Sequence, residues 1–144
     1  MEVAVIKRLI NHWGKNGRKG ILEESINEIL NKRKIVLPKD FKVLYEHVDG
    51  TKDQDKEAFL FFKVEDLLTM KEKFGLEKND LLAEIIIFAD YMVDCWWYGI
   101  KVKDDNRYEI GIIPDPSRFV KITDSLSEFT ELYLKDSPIL YEYK

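Results

Sequence analysis

Apolar residues recur along this chain at two spacings, and the change from one to the other divides it. Val3, Ile6, Ile10 and Trp13 fall three or four apart, the repeat of a helix face, and Gly14 follows where a left-handed helix end is wanted. Leu22, Ile26, Ile29 and Leu30 mark a second helix ending at Lys32. A third opens at Pro38, whose fixed φ suits a first helical turn; it carries Phe41, Leu44, Tyr45 and Val48 on one side and closes at Gly50. The continuous aromatic run over residues 59–62 predicts a strand buried on both faces. Leu67, Met70 and Phe74 then predict a fourth helix over 64–73, stopped by Gly75.

From residue 84 the repeat shortens to two. Residues 84–89, EIIIFA, read as a central strand that breaks at Asp90. Trp96, Tyr98, Ile100 and Val102 alternate with Cys95, Trp97, Gly99 and Lys101, and Tyr108, Ile110 and Ile112 alternate with Glu109, Gly111 and Ile113. With Asp104, Asp105 and Asn106 as turn residues, the two runs predict an antiparallel hairpin whose first-named sets share one buried face. Gly99 and Gly111 on the other face let a neighbour come close. A short strand over 119–122 follows Pro114 and Pro116, and Ser125 with Glu128 forms a capping-box pair ahead of a helix buried through Leu126, Phe129, Leu132 and Tyr133. The aromatic end, 137–144, is expected to be tied down. These elements predict an α+β fold: one domain, a central, twisted, mainly antiparallel sheet of about five strands, N-terminal helices flanking it and a C-terminal helix capping it.

Length supports a single core. At 144 residues, 45% apolar and 35% charged, the chain has the material for one core and a well solvated surface. A net charge of −4 conceals an asymmetry: residues 1–50 hold ten Lys and Arg against seven Asp and Glu, whereas 51–144 hold thirteen against twenty. An acidic bias repels nucleic-acid phosphates and steers toward basic partners. Neither a signal peptide nor an apolar run long enough for a membrane span is legible, so a cytoplasmic protein without membrane partners is expected. Cys95 stands alone and makes no disulfide within the chain.

Specific chemistry is scarce. The glycines and cations of residues 14–20 invite a phosphate-loop reading, but the last glycine precedes Ile21 and the preceding element is helical, so a flexible basic connector is expected. Asp53, Asp55 and Glu57 alternate like a calcium loop, yet Ala58 and Val64 occupy the positions that would need glycine and glutamate. His12 and His47 have no partner at metal spacing, and no serine sits in a nucleophile elbow. No enzyme activity, cofactor or metal is expected, and no nucleic-acid binding. For a protein partner, the acids and aromatics beside the sheet are the candidate contacts: Asp90, Tyr91, Asp94 and Trp97 at the strand break, with Asp53 and Asp55 in the flanking loop. Aromatics anchor and acids steer. For Trp97, packing beneath a helix on the second sheet face is an equal alternative.

Three segments carry a resemblance. They are LPKDFKVLYEHVDG from Leu37 to Gly50, IIIFADYMVDCWWYGIKV, and the closing ITDSLSEFTELYL. In this order and spacing they resemble the SMI1/KNR4, or SUKH, superfamily, with Asp49 where the family commonly has asparagine. The resemblance implies an α+β domain with an antiparallel sheet and no catalytic residues. It also implies a cytoplasmic immunity protein that neutralises a bacterial toxin, often a nuclease, by binding it; a regulatory scaffold for an endogenous partner is the alternative it leaves open.

Overall fold

The structure, a computed structural model, describes residues 1–104 and 106–143. Among these residues, five α-helices, α1 (Val3–Trp13), α2 (Glu23–Arg33), α3 (Lys39–His47), α4 (Met70–Phe74) and α5 (Leu126–Leu134), accompany eight strands. These are β1 (Gly17–Lys19), β2 (Val48–Thr51), β3 (Phe59–Phe61), β4 (Leu68–Thr69), β5 (Ile86–Tyr91), β6 (Trp96–Asp104), β7 (Arg107–Ile113) and β8 (Val120–Thr123). The main sheet is antiparallel throughout, in the order β3-β5-β6-β7-β8, with β4 also pairing β5. β3 covers the C-terminal half of β5 and β4 its N-terminal half, so the edge is one strand interrupted by a 3-10 turn at Val64–Asp66.

The β6–β7 hairpin has the expected register. Tyr98 faces Ile112, Ile100 faces Ile110 and Val102 faces Tyr108, and the inward members of these pairs lie in the principal core. Asp104 Oδ1 accepts from the Asn106 and Arg107 N–H groups at the turn; Asp105 lies outside the described residues. On this face α1, α3 and α5 bury Leu9, Trp13, Phe41, Tyr45, Leu126, Phe129 and Tyr133. Buried tyrosines tie the layers together, because each hydroxyl must find an acceptor once it leaves water. Tyr45 donates to the Phe62 carbonyl (2.9 Å), Tyr108 to Asp40 (2.6 Å), Tyr98 to the Leu140 carbonyl and Tyr133 to Asp55. The Tyr98 bond fastens the C-terminal segment, whose Leu140 is fully buried.

Several expectations are corrected. β5 does not break at Asp90 but runs through it to Tyr91, and Leu22 is an exposed N-cap of α2 rather than part of its buried face. The buried stripe of α1 is Val5, Ile6, Leu9 and Trp13; Val3 is exposed. The basic connector is not free, since Gly17–Lys19 pairs with β2 in a second, two-stranded sheet. α3 ends three residues before Gly50, which lies inside β2 at φ +69. β3 is an edge strand with Phe59 and Phe61 turned inward and Leu60 half-exposed, so its aromatic run is buried on one side. The fourth helix is replaced by the 3-10 turn, β4 and the short α4. Leu68 and Thr69 are taken into the sheet opposite Ile87 and Ile86, and Thr69 then restarts a helix through a complete capping box with Glu72.

Gly50 is where β2 crosses the end of β3. A Cβ there would lie 2.4 Å from the Phe61 carbonyl oxygen and 2.7 Å from that of Phe62. Gly50→Ala therefore combines a left-handed backbone with a clash against main chain, and is expected to lower stability by about 2–4 kcal/mol in urea melts. An unchanged midpoint would contradict this crossing.

Candidate functional site

A bulge in β5 decides which side chains reach the outer face of the sheet. Ile87 pairs with Gly99 and Ala89 with Tyr98, so Phe88 is an extra residue on β5. Phe88 and Ala89 both enter the principal core, and the alternation restarts one step out of phase. Asp90 thereby leaves the core side and falls beside Trp97 on the outer face, while Tyr91 falls beside Trp96 on the inner one. The outer face has a smaller apolar cluster of its own, Met70, Ile85, Ile87 and Ile113 with Phe74 and Trp97 against them.

The connection from β5 to β6 is a tight turn of unusual backbone. Met92, Val93 and Asp94 have φ of 48, 52 and 63°, and the Cys95 N–H closes the turn on the Tyr91 carbonyl (3.0 Å). Left-handed backbone costs a residue with a Cβ about 1–2 kcal/mol, and a β-branched valine is among the poorest occupants. The neighbouring Ala58 has φ 71°, and its carbonyl accepts from the Met92 N–H (2.9 Å). Four strained non-glycine residues thus meet at one end of the sheet, on a rim formed by this turn and the loop before β3. The strain holds two apolar side chains in solvent: Met92 is 52% and Val93 73% exposed.

The sequence-derived contacts divide. Asp90, Asp94 and Trp97 come together on the outer face. The Trp97 Nε1–H donates to Asp94 Oδ1 (3.1 Å), Lys73 Nζ is 3.8 Å from the same oxygen, and the Lys73 ammonium lies 5.5 Å from the centre of the Trp97 ring. Trp97 is half-buried with Phe74 edge-on at 5.1 Å, so it packs under α4 and is no freely exposed anchor. Asp90 is not an exposed acid: it is 6% exposed, and its Oδ1 has no hydrogen-bond partner. Burial, reinforced by Asp94, pushes the Asp90 carboxyl up to about 6.

Tyr91 sits on the opposite side, half-buried and stacked on Trp96 at 4.5 Å. Asp53 is exposed on the rim loop, its main chain held by Asn16. Asp55 faces inward, accepting from the Glu57 and Phe59 N–H groups (2.9 Å each) and from the Tyr133 hydroxyl, which in turn receives the Trp13 indole N–H (2.8 Å). It is a structural bridge between the rim, α1 and α5. Met92, Val93 and Lys73 belong to the site and were missed. The readable signal was a two-acid turn, Asp90 to Asp94, with no glycine or asparagine to accept the left-handed positions.

No group of three or more His, Cys, Asp or Glu among the described residues is placed to hold a metal. His12 and His47 are both exposed, and no helix among the described residues is long and apolar enough to cross a membrane.

The buried carboxylate gives a signed pH dependence. A folded-state pKa near 6 against an ordinary 3.8 means the native state holds a proton that the unfolded chain releases. Asp90 therefore weakens the fold above pH 6, and that penalty, at most about 3 kcal/mol, is relieved as pH falls from 6 toward 4. Asp90→Asn should raise stability by about 1–2 kcal/mol in urea at pH 7.5, and its advantage should vanish by about pH 4. Parallel pH profiles for the two proteins would contradict the burial of this charge.

Comparison with known proteins places the chain. No curated protein and no solved structure gives a match. The model of the SMI1 / KNR4 family (SUKH-1) matches residues 20–132, a span that begins just after β1 and runs through most of α5, and so includes β5, the bulge, the strained turn and α4. With most of its length matched by that family, this chain belongs to the SMI1 / KNR4 family (SUKH-1).

Proposed function

We propose that this protein is a non-enzymatic immunity protein that neutralises a cognate bacterial toxin in the cytoplasm by direct binding, with the strained rim as its contact surface. Family membership supports the immunity class, since the resemblance to SUKH proteins implies inhibitors that act by binding. The observation that carries the surface is the rim itself. Backbone strain at Ala58, Met92, Val93 and Asp94 is retained where it holds Met92 and Val93 in solvent, and strained residues gather where a function needs them.

Charge plays a smaller part at this rim than its acids suggest. Asp53 and Asp94 are exposed there, but so are Lys52, Lys56 and Lys73, and the remaining exposed acids are spread along the chain, at Glu2, Glu23, Glu24, Glu28 and Asp104 as well as within residues 65–84 and 124–142. The acidic field supplies long-range steering toward a basic toxin such as a nuclease, and the apolar pair supplies the anchor. A rigid turn loses little freedom on docking, which favours affinity.

Val93→Gly separates stability from binding. Glycine accepts φ 52° without strain, so the variant should be more stable than the natural protein by up to about 1 kcal/mol while losing its anchor. Co-expressed with a candidate cognate toxin domain, the natural protein should rescue growth, and Val93→Gly combined with Met92→Ser should lower toxin affinity by about tenfold or more in calorimetry. Equal toxin affinity in the two proteins would remove the rim from the interface. Death of the host with and without the natural protein would reject immunity to that toxin and favour the scaffold reading.

A further inference from the structure

Resting on that reading, we propose that the Asp90–Asp94–Trp97 cluster is the receiving site for one basic side chain of the partner, an arginine by preference, and that this cation takes the place of a proton.

The cluster is one positive charge short. Two carboxylates, Asp90 and Asp94, face a single cation, Lys73. The cross-strand neighbours of Asp90, Leu60 on β3 and Trp97 on β6, carry no charge. Asp90 is more than nine-tenths buried and one of its oxygens has no partner, an expensive state for an ionised group. Its raised pKa is the expected response to such a site: near neutrality a proton makes up part of the missing charge.

Lys73 holds its place loosely. Its ammonium is at the limit of ion-pair range from Asp94, and both side chains are well hydrated, at 33% and 52% exposure. Exposed pairs of this kind contribute little net stability, so a partner's cation can displace it at little cost. What Lys73 marks is the geometry: a carboxylate beside an indole, with a cation lying over the ring. A planar guanidinium suits this arrangement better than an ammonium. It stacks on an aromatic face while donating two parallel N–H bonds to a carboxylate, and it is less strongly hydrated. Delivered to Asp94, it stabilises ionised Asp90 beneath, so cation binding and proton release are linked. Partner affinity then rises with pH through the titration of Asp90, opposite in sign to the stability of the free protein.

The test needs no partner. N-acetyl-arginine amide is titrated into the full chain, with N-acetyl-citrulline amide as a neutral isostere, while NMR follows the Asp90 side-chain carboxyl carbon and the Trp97 indole N–H across pH. The arginine probe should lower the Asp90 midpoint by about 0.5 unit or more and shift the Trp97 signal saturably, and the citrulline probe should do neither. Lys73→Met should enlarge the arginine effect, and Asp94→Asn should abolish it. Equal responses to both probes, or an arginine response that persists in Asp94→Asn, overturns the site. Such a failure leaves the rescue experiment intact, whereas failed rescue beside a positive titration rejects the immunity reading and keeps the cation site.

Discussion

One extra residue in β5 governs what both faces of the sheet become. Without the bulge at Phe88, strict alternation from Ile86 would carry Phe88 and Asp90 to the core side and leave Tyr91 outside. The bulge places Phe88 and Ala89 together opposite Tyr98, keeps the aromatic core continuous through Tyr91 and Trp96, and turns Asp90 toward Trp97 and α4. A carboxylate aimed into the cluster of Phe59, Phe88 and Tyr98 would have had no cation within reach. On the outer face it finds Lys73, although one oxygen is left without a partner. A bulge of this kind re-aims side chains next to functional sites in many sheets.

The same shift of phase sets the demands on the turn that follows. Tyr91 and Trp96 must face each other to stack, which leaves residues 92–95 to reverse the chain. Met92, Val93 and Asp94 do so in left-handed backbone, with a valine where glycine or asparagine would be comfortable. Strain, an unpaired buried acid and two solvent-facing apolar side chains thus occupy a few consecutive residues, and each is costly to the isolated protein. Their coincidence is what sets this end of the sheet apart from the rest of the surface.

Much of the fold was legible because its signals were local. The β6–β7 register follows from alternation on both sides of an Asp-rich turn, Gly14 and Gly75 stop helices through positive φ, and Ser125 caps α5 by accepting from the Glu128 N–H. The misreadings lie where tertiary contacts outweighed local pattern. Leu67, Met70 and Phe74 keep helical spacing, yet pairing of Leu68 and Thr69 with β5 splits that helix. The run from Ile85 to Ala89 is apolar at every position, so a slip of one residue leaves no trace in it, and the bulge was invisible. For the site, this meant that Asp90, Asp94 and Trp97 were found by type while their burial and grouping were not. Asp55 looked like a loop acid because nothing nearby in sequence announces Tyr133, which lies 78 residues away.

Docking of a partner protein on the rim built by the bulge and the strained turn would shield that rim's amides from solvent. Hydrogen–deuterium exchange of the chain, alone and with a candidate toxin domain bound, reads that shielding. Docking at the rim gives new protection confined to residues 52–58, 70–74 and 90–97, with exchange on α1 and α2 unchanged. Protection on the helical face, with the turn exchanging as fast as in the free protein, would contradict it.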